Sequence, residues 1–256
     1  MDIKLGKQDG IMILHFNRAD KKNAITAAMY QTMADALAAA ENDESVQVVL
    51  ITGHAQVFTA GNDLEDFLIN PPLRADSPVF RFMHQMVHAT KPVVAAVSGA
   101  AVGIGTTLLL HCDLVYAADT ARFSLPFVQL GLCPEFASSL LLQHTAGFQR
   151  AAEKLMLGES FSAIEACEMG LVNQVVSVEA LPEFARAQAS RLAALPVDSV
   201  RITKRLMTAD RRPTIEARIA EENAAFSRLL QAPEAKKAIV GFLEKRKPTL
   251  QGNGTR

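Results

Sequence analysis

A buried carboxylate and a glycine-marked turn are the two features of this sequence that could do chemistry together. Residues 93–135 read VVAAVSGAAVGIGTTLLLHCDLVYAADTARFSLPFVQLGLCPE. Val93–Val97 is an apolar run too short for a helix and fits a buried strand. Gly99, Gly103 and Gly105 follow, and Thr106–His111 has the pattern of an apolar helix start. A strand, a glycine turn and a helix in that order aim free backbone N–H groups at a negative oxygen. A second apolar strand, Leu114–Ala118, leads towards Glu135, which stands between Pro134 and Phe136 in a long apolar neighbourhood. Desolvation raises a carboxyl pKa, and a raised pKa suits a proton-transfer base. A structural reading is also open. The turn could serve only to bring helix and strand close, and Glu135 could stabilise the start of a following helix.

The remaining polar candidates are less pointed. His84 and His88 stand one helical turn apart, a zinc-compatible spacing, but no third ligand is apparent and no His-Glu-X-X-His pattern is present. No metal site is expected. His111, among leucines, fits a satisfied core histidine, and Gln143 and His144 fit a helix end. Asp63 suits turn stabilisation as well as ligand contact. The basic clusters Lys21-Lys22 and Lys245-Arg246-Lys247 fit either an anionic ligand or a solvated face.

These groups need a scaffold, and the chain is long enough to build one. With 256 residues, 49% of them hydrophobic, it can bury a full core as one large domain or a domain with an appendage. A net charge of −1 leaves no basic block to neutralise a phosphate lattice, so nucleic acid and anionic membranes are not expected partners. Cys112, Cys133 and Cys167 are scattered in apolar runs and read as buried thiols of a reducing compartment. Met1–Gly10 lacks the apolar core of a signal peptide, no run approaches a membrane span, and residues 251–256 carry no peroxisomal address. The expectation is a cytoplasmic protein.

Strands are expected at Ile11–Phe16, Val46–Ile51 and Val172–Ser177 in addition to the two above. Helices are expected over Thr26–Asn42 with Thr26 as cap, Leu64–Asn70, Val79–Ala89, Ala137–His144 and Phe148–Leu157. Phe58–Asp63 reads as a turn and Pro71–Pro78 as a loop. Ser162-Ala-Ile-Glu165 fits a capping box. From Val178 onward only helices appear, roughly Ala180–Leu195, Val197–Met207, Ile215–Leu230 and Pro233–Arg246. Alternating strands and helices followed by a helical tail imply an α/β core with a helical appendage. The tail is apolar enough to need cover, from another subunit or by folding back.

Taken in order, the motifs resemble the enoyl-CoA hydratase/isomerase (crotonase) family. They are Asn-Arg-Ala-Asp-Lys-Lys-Asn-Ala at 17–24, Phe-Thr-Ala-Gly-Asn-Asp-Leu at 58–64 and Ser-Gly-Ala-Ala-Val-Gly-Ile-Gly at 98–105. Cys-Asp-Leu-Val-Tyr-Ala at 112–117, Leu-Gly-Leu-Cys-Pro-Glu at 130–135, Gly-Leu-Val-Asn at 170–173 and Phe-Leu-Glu-Lys-Arg-Lys-Pro at 242–248 continue the series. The resemblance implies an α/β spiral of β-β-α turns over residues 1–195 and a helical trimerisation region over residues 196–256. It also implies a homotrimer or dimer of trimers that takes acyl-CoA thioesters, with CoA as part of the substrate and no separate cofactor. By motif, Asn62 and Ile104 supply the two backbone N–H groups of an oxyanion hole. Lys22, Ala24, Ala60, Asp63, Gly103 and Lys245 are carried over as substrate or CoA contacts.

Two departures narrow the chemistry that the resemblance implies. Hydratases of the family use two glutamates, and the matching positions here are Thr107 and Phe127. Adding water needs a base and an acid around that water, which neither residue supplies. The segment Pro-Glu-Phe-Ala-Ser-Ser at 134–139 instead resembles the Δ3,Δ2-enoyl-CoA isomerase branch, which keeps one glutamate at the place of Glu135. One carboxylate suffices to move a proton from the alpha to the gamma carbon of a 3-enoyl thioester. Hydration or thioester hydrolysis using Glu135 differently, and a silent acyl-CoA-binding subunit, are the other readings. An RNA-binding side role is disfavoured by the neutral charge.

Overall fold

The computed structural model describes residues 1–72, 74 and 76–246, the last two by backbone alone. Ten strands occur among them: β1 (Ile3–Gln8), β2 (Ile11–Phe16), β3 (Val48–Thr52), β4 (Val57–Thr59), β5 (Val93–Val97), β6 (Ala100–Val102), β7 (Leu114–Ala118), β8 (Arg122–Ser124), β9 (Phe161–Ser162) and β10 (Gln174–Val176). The helices are α1 (Ala27–Asn42), α2 (Leu64–Ile69), α3 (Pro78–His88), α4 (Ile104–Thr107), α5 (Ser138–Ala146), α6 (Phe148–Leu157), α7 (Ala163–Glu168), α8 (Leu181–Ala193), α9 (Val197–Thr208), α10 (Arg212–Gln231) and α11 (Pro233–Arg246).

The strands form two sheets, ordered β1-β2-β3-β5-β7-β10 and β4-β6-β8-β9. From β3 to β8 the chain lays one strand in the large sheet and the next in the small one, repeatedly. The partners within each sheet, β3·β5·β7 and β4·β6·β8, run parallel. That repeat is the expected β-β-α spiral. Gly99 makes one of its corners, between β5 and β6. Its backbone is left-handed (φ +64°), and a Cβ there would collide with the carbonyl of Gln56.

Burial follows the sequence pattern. Every residue of β5, and Val48–Ile51 of β3, is buried, as expected of strands covered on both faces. On one face Leu181, Ala185 and Ala189 of α8 cover Val48, Leu50, Val94 and Ala96. The other face joins the main core with α1, α3 and the small sheet. Each fully buried aliphatic side chain contributes about 1.5–3 kcal/mol relative to exposure. Ile215, Phe226, Leu230, Ala235 and Ile239 of α10 and α11 belong to that same core, so these helices fold back onto it. Along α9, Ile202, Leu206 and Met207 remain exposed. No helix among the described residues is long and apolar enough to cross a membrane.

Several elements differ from the sequence reading. β1 was not expected, because only its first residue is buried. It pairs with β2 through Asp9-Gly10, both at positive φ, the tight hairpin that Asp-Gly favours. The small-sheet strands are two or three residues long, too short for any periodicity, and Val57–Thr59 falls partly where a turn was expected. The helix after the glycine turn starts two residues early, at Ile104, and tightens to a 3-10 turn over Leu108–His111. Thr26 caps α1 as expected, accepting from Met29 N at 3.3 Å, and the Ser162–Glu165 capping box is complete.

Candidate active site

The turn expected to form the oxyanion hole is built by backbone alone. Asn62 follows β4 and is held by Ile25, whose N–H donates to Gly61 O at 2.8 Å and whose carbonyl accepts from Asp63 N at 2.9 Å. Gly61 (φ +82°) lets this turn pass against α4's approach, because a Cβ there would lie 2.6 Å from Val102 O. Ile104 is the first residue of α4, and Gly103 caps it with φ +56°. Among the described residues neither the Asn62 nor the Ile104 N–H donates to another backbone carbonyl. Both residues line a cavity of about 910 Å³. Lys22, Ala24, Ala60 and Gly103, named from the sequence, line it too.

Other expected contacts fall elsewhere. The Asp63 carboxylate accepts from Glu65 N (3.1 Å) and Asp66 N (3.3 Å), capping α2, and accepts from Arg18 Nη1 at 2.6 Å. Arg18 and the cap hold its carboxyl below the usual range against the effect of burial. Asp63 is therefore committed to the turn and is not among the cavity's lining residues. The Lys245 side chain lies outside the described residues. His84 and His88 stack at 4.2 Å, and His88 pairs with Glu216 at 2.6 Å. Among the described residues no group of three or more metal-binding side chains comes together.

Neither Thr107 nor Phe127 is an acid, and the carboxylate among the cavity's lining residues is Glu234 of α11. Phe127 lines the cavity, and its ring lies 3.8 Å from where a Cβ on Gly103 would sit. Thr107 is fully buried, and its hydroxyl has no hydrogen-bond partner within the described residues.

Glu135 is 4% exposed, and its Oε1 has no hydrogen-bond partner among the described residues. It sits beside a void of only about 10 Å³, together with Phe67 and Phe226. Those two rings also line the large cavity and meet edge to face at 6.0 Å. They stand as a partition between the cavity and the carboxyl. Burial first, and then the negative charge of Glu222, push the Glu135 pKa up to about 8, while the Asn62 side-chain amide opposes the rise. Tyr30 Oη donates to Asn62 Oδ1 at 2.5 Å, so the Asn62 amide N–H₂ is left to face the carboxyl. Asn62 thus joins the two halves of the site, its backbone in the turn and its side chain at the base.

Two of these groups were not singled out from the sequence. Tyr30 lies among the apolar residues of α1, and nothing local marks it as more than core. Glu222 lies on α10, and its carboxylate accepts from Ala137 N (2.5 Å), Ser139 N (3.0 Å) and Ser139 Oγ (2.5 Å). The segment that carries those donors opens with Phe136 and Ala137, which are both left-handed (φ +59° and +54°) although neither is glycine. Each such residue costs about 1–3 kcal/mol unless its surroundings hold it. His111 adds to the hold: it stacks on the Phe136 ring at 3.8 Å, and its Nε2 lies 2.8 Å from Phe136 O. Burial lowers the His111 pKa to about 4, so the ring is neutral at pH 7 and donates through Nε2.

Comparison with known proteins shows the family. Residues 6–253 match the family described as enoyl-CoA hydratase/isomerase. The chain is 35% identical over 246 residues to human enoyl-CoA delta isomerase 2, covering 93% of this chain and 62% of that longer protein. It is 30% identical to 2,3-dehydroadipyl-CoA hydratase of Escherichia coli K12, covering 98% of this chain and 99% of the relative. Among solved structures, Pseudomonas aeruginosa OdaA is similar with a TM-score of 0.92 and 48% identity, over 94% of this chain and 98% of that one.

Proposed function

Because the chain belongs to the enoyl-CoA hydratase/isomerase family, we propose that it shifts the double bond of a 3-enoyl-CoA to the 2-trans position, with Glu135 as the single proton carrier. The observation that carries this reading is one buried carboxyl, Glu135, beside Asn62 of the oxyanion turn, with Thr107 and Phe127 where hydratases hold acids. The thioester carbonyl accepts from the N–H groups of Asn62 and Ile104. Glu135 removes a proton from the alpha carbon, the negative charge spreads into a dienolate held at the oxygen, and Glu135 returns the proton at the gamma carbon. A pKa near 8 suits both directions, since a base and its conjugate acid work best close to the ambient pH. The acyl chain meets the carboxyl by displacing Phe67 or Phe226. CoA enters as part of the substrate, and the reaction asks for no cofactor.

Exposed Ile202, Leu206 and Met207 on α9, and Met156 and Leu157 on α6, support the reading of a homotrimer or dimer of trimers. Light scattering at micromolar concentration tests it, and a stable monomer contradicts it.

A hydratase is the second reading, and the full-length similarity to 2,3-dehydroadipyl-CoA hydratase favours it. Incubation with 3-enoyl-CoA and with 2-enoyl-CoA separates the two. Isomerisation raises the absorbance of the conjugated thioester at constant mass, whereas hydration of the 2-enoyl thioester adds one water. Product carrying that water at a rate above the double-bond shift overturns the isomerase reading.

A further inference from the structure

We infer that Glu222 is a positioning residue, which fixes the peptide that carries Glu135 and supplies the charge that Glu135 faces. The inference rests on the reading of Glu135 as the base. Three donors converge on the Glu222 carboxylate, and all belong to the segment immediately after Glu135: the N–H of Ala137 and the N–H and hydroxyl of Ser139. The two residues after Glu135, Phe136 and Ala137, are left-handed and not glycine. Such a backbone holds its shape only when it is pinned, and the pins here are His111 at the Phe136 carbonyl and Glu222 at the next N–H. α10, from the far end of the chain, therefore sets where the base points.

The groups facing Glu135 are Glu222 from α10, Tyr30 from α1, Asn62 from the turn after β4, and Cys133 from its own segment. Arg218 donates to Ser139 Oγ at 3.0 Å and pairs with Glu221 at 3.0 Å. Burial raises the Glu222 pKa above its ordinary value, and the donors of Ser139 and Ala137, with the charge of Arg218, oppose that rise in favour of the ionised form. Glu222 has three hydrogen-bond donors; Glu135 has an oxygen with none. Two carboxyl groups in such unequal surroundings divide the roles, one holding the charge and the other taking up the proton. Glu222 is not among the lining residues of the 910 Å³ cavity, and it acts through Glu135.

Two substitutions separate reach from charge. Glu222→Gln keeps the side-chain length and one acceptor and loses the charge. The acidic limb of its kcat profile with 3-enoyl-CoA should move to lower pH by roughly one unit, with KM little changed. Glu222→Asp keeps the charge and loses the reach. Its kcat should fall by roughly tenfold or more without that shift, and adding Ala137→Gly should recover part of the loss, because glycine takes the left-handed backbone freely. A Glu222→Gln profile that superimposes on wild type overturns the charge role. A Glu222→Asp enzyme with wild-type kcat overturns the positioning role, as does a loss that merely follows the folded fraction measured by thermal unfolding. Carbon-13 NMR of glutamate-labelled protein reads the coupling without substrate. The Glu135 signal, identified by its loss in Glu135→Gln, should titrate at lower pH in Glu222→Gln, and an unmoved titration overturns the inference. If instead Glu135→Gln keeps isomerase turnover, the base assignment has failed, and the NMR result still judges the coupling.

Discussion

The two halves of the site are made in opposite ways. The proposed oxyanion turn at Asn62 and Ile104 consists of backbone N–H groups whose placement depends on Gly61 and Gly103, the residues immediately before them. The proposed base, Glu135, is a side chain whose position and charge depend on Tyr30, Asn62, His111 and Glu222, drawn from four separate segments. A donor made of backbone tolerates almost any side chain at its own position and fails when its glycines change. A carboxyl base behaves in reverse: its own identity is indispensable, and its neighbours tune it.

The largest expected effect tests the indispensable residue. Glu135→Gln keeps shape and removes the base, and isomerase turnover should fall by at least about a hundredfold, within the 100- to 10,000-fold range of positioned acid–base groups. Thioester binding, read by calorimetry, should change little. Near wild-type turnover in that variant would falsify the mechanism and move the search for a base to Asp63 or Glu65.

On the other side of the comparison, Gly61→Ala should cost about a hundredfold in kcat. A Cβ 2.6 Å from Val102 O at φ +82° forces the turn to move, and the Asn62 N–H moves with it. The contrast sharpens if Asn62→Ala, which leaves the backbone in place, costs much less than Gly61→Ala. Equal losses would break it.

Tyr30→Phe probes a tuning neighbour. Without the hydroxyl the Asn62 amide is no longer oriented towards Glu135, and its support for the charged form is lost. About one unit of pKa corresponds to about a tenfold loss of kcat at neutral pH. The loss should vanish on the alkaline plateau, and a loss independent of pH contradicts the tuning role.

The smallest effect is on stability. The folded chain holds a proton on Glu135 up to about pH 8, whereas the unfolded chain releases it near the ordinary value of 4.5. Between those values the unfolded state binds fewer protons, so stability falls as pH rises. Glu135→Gln has no proton to lose. It should gain on wild type by up to a few kcal/mol between about pH 5 and about pH 9, read by denaturant unfolding. A constant difference across that range contradicts the raised pKa.

The same contrast explains what could be read from the sequence. The order of strand, glycine turn and helix at 93–107 is a local signal, and so is a carboxyl set between Pro134 and Phe136. The first led to Ile104, which lines the large cavity with Asn62, and the second to Glu135, buried behind Phe67 and Phe226. Glu222 gave no such signal, because an acidic residue on an amphipathic helix looks like solvated surface until the fold turns it inward. Tyr30 was hidden in a helix whose apolar face accounts for it equally well. Asp63 shows the limit in the other direction: its motif position suggested substrate contact, and the fold uses it as a cap and ion pair. In the fold itself, Asp9-Gly10 was a usable hairpin signal, whereas strands of two or three residues such as β9 leave no pattern to find.

The central claim is that one shielded carboxyl carries the same proton from the alpha to the gamma carbon, and isotope transfer tests it most directly. A 3-enoyl-CoA bearing deuterium at both alpha positions is converted in ordinary water, and the product is read by mass and by NMR. With Glu135 only 4% exposed, a substantial fraction of the 2-enoyl product should keep both deuterium atoms, one at the alpha carbon and one at the gamma carbon. Product that has lost one deuterium completely to solvent, or that has gained a water, contradicts the account.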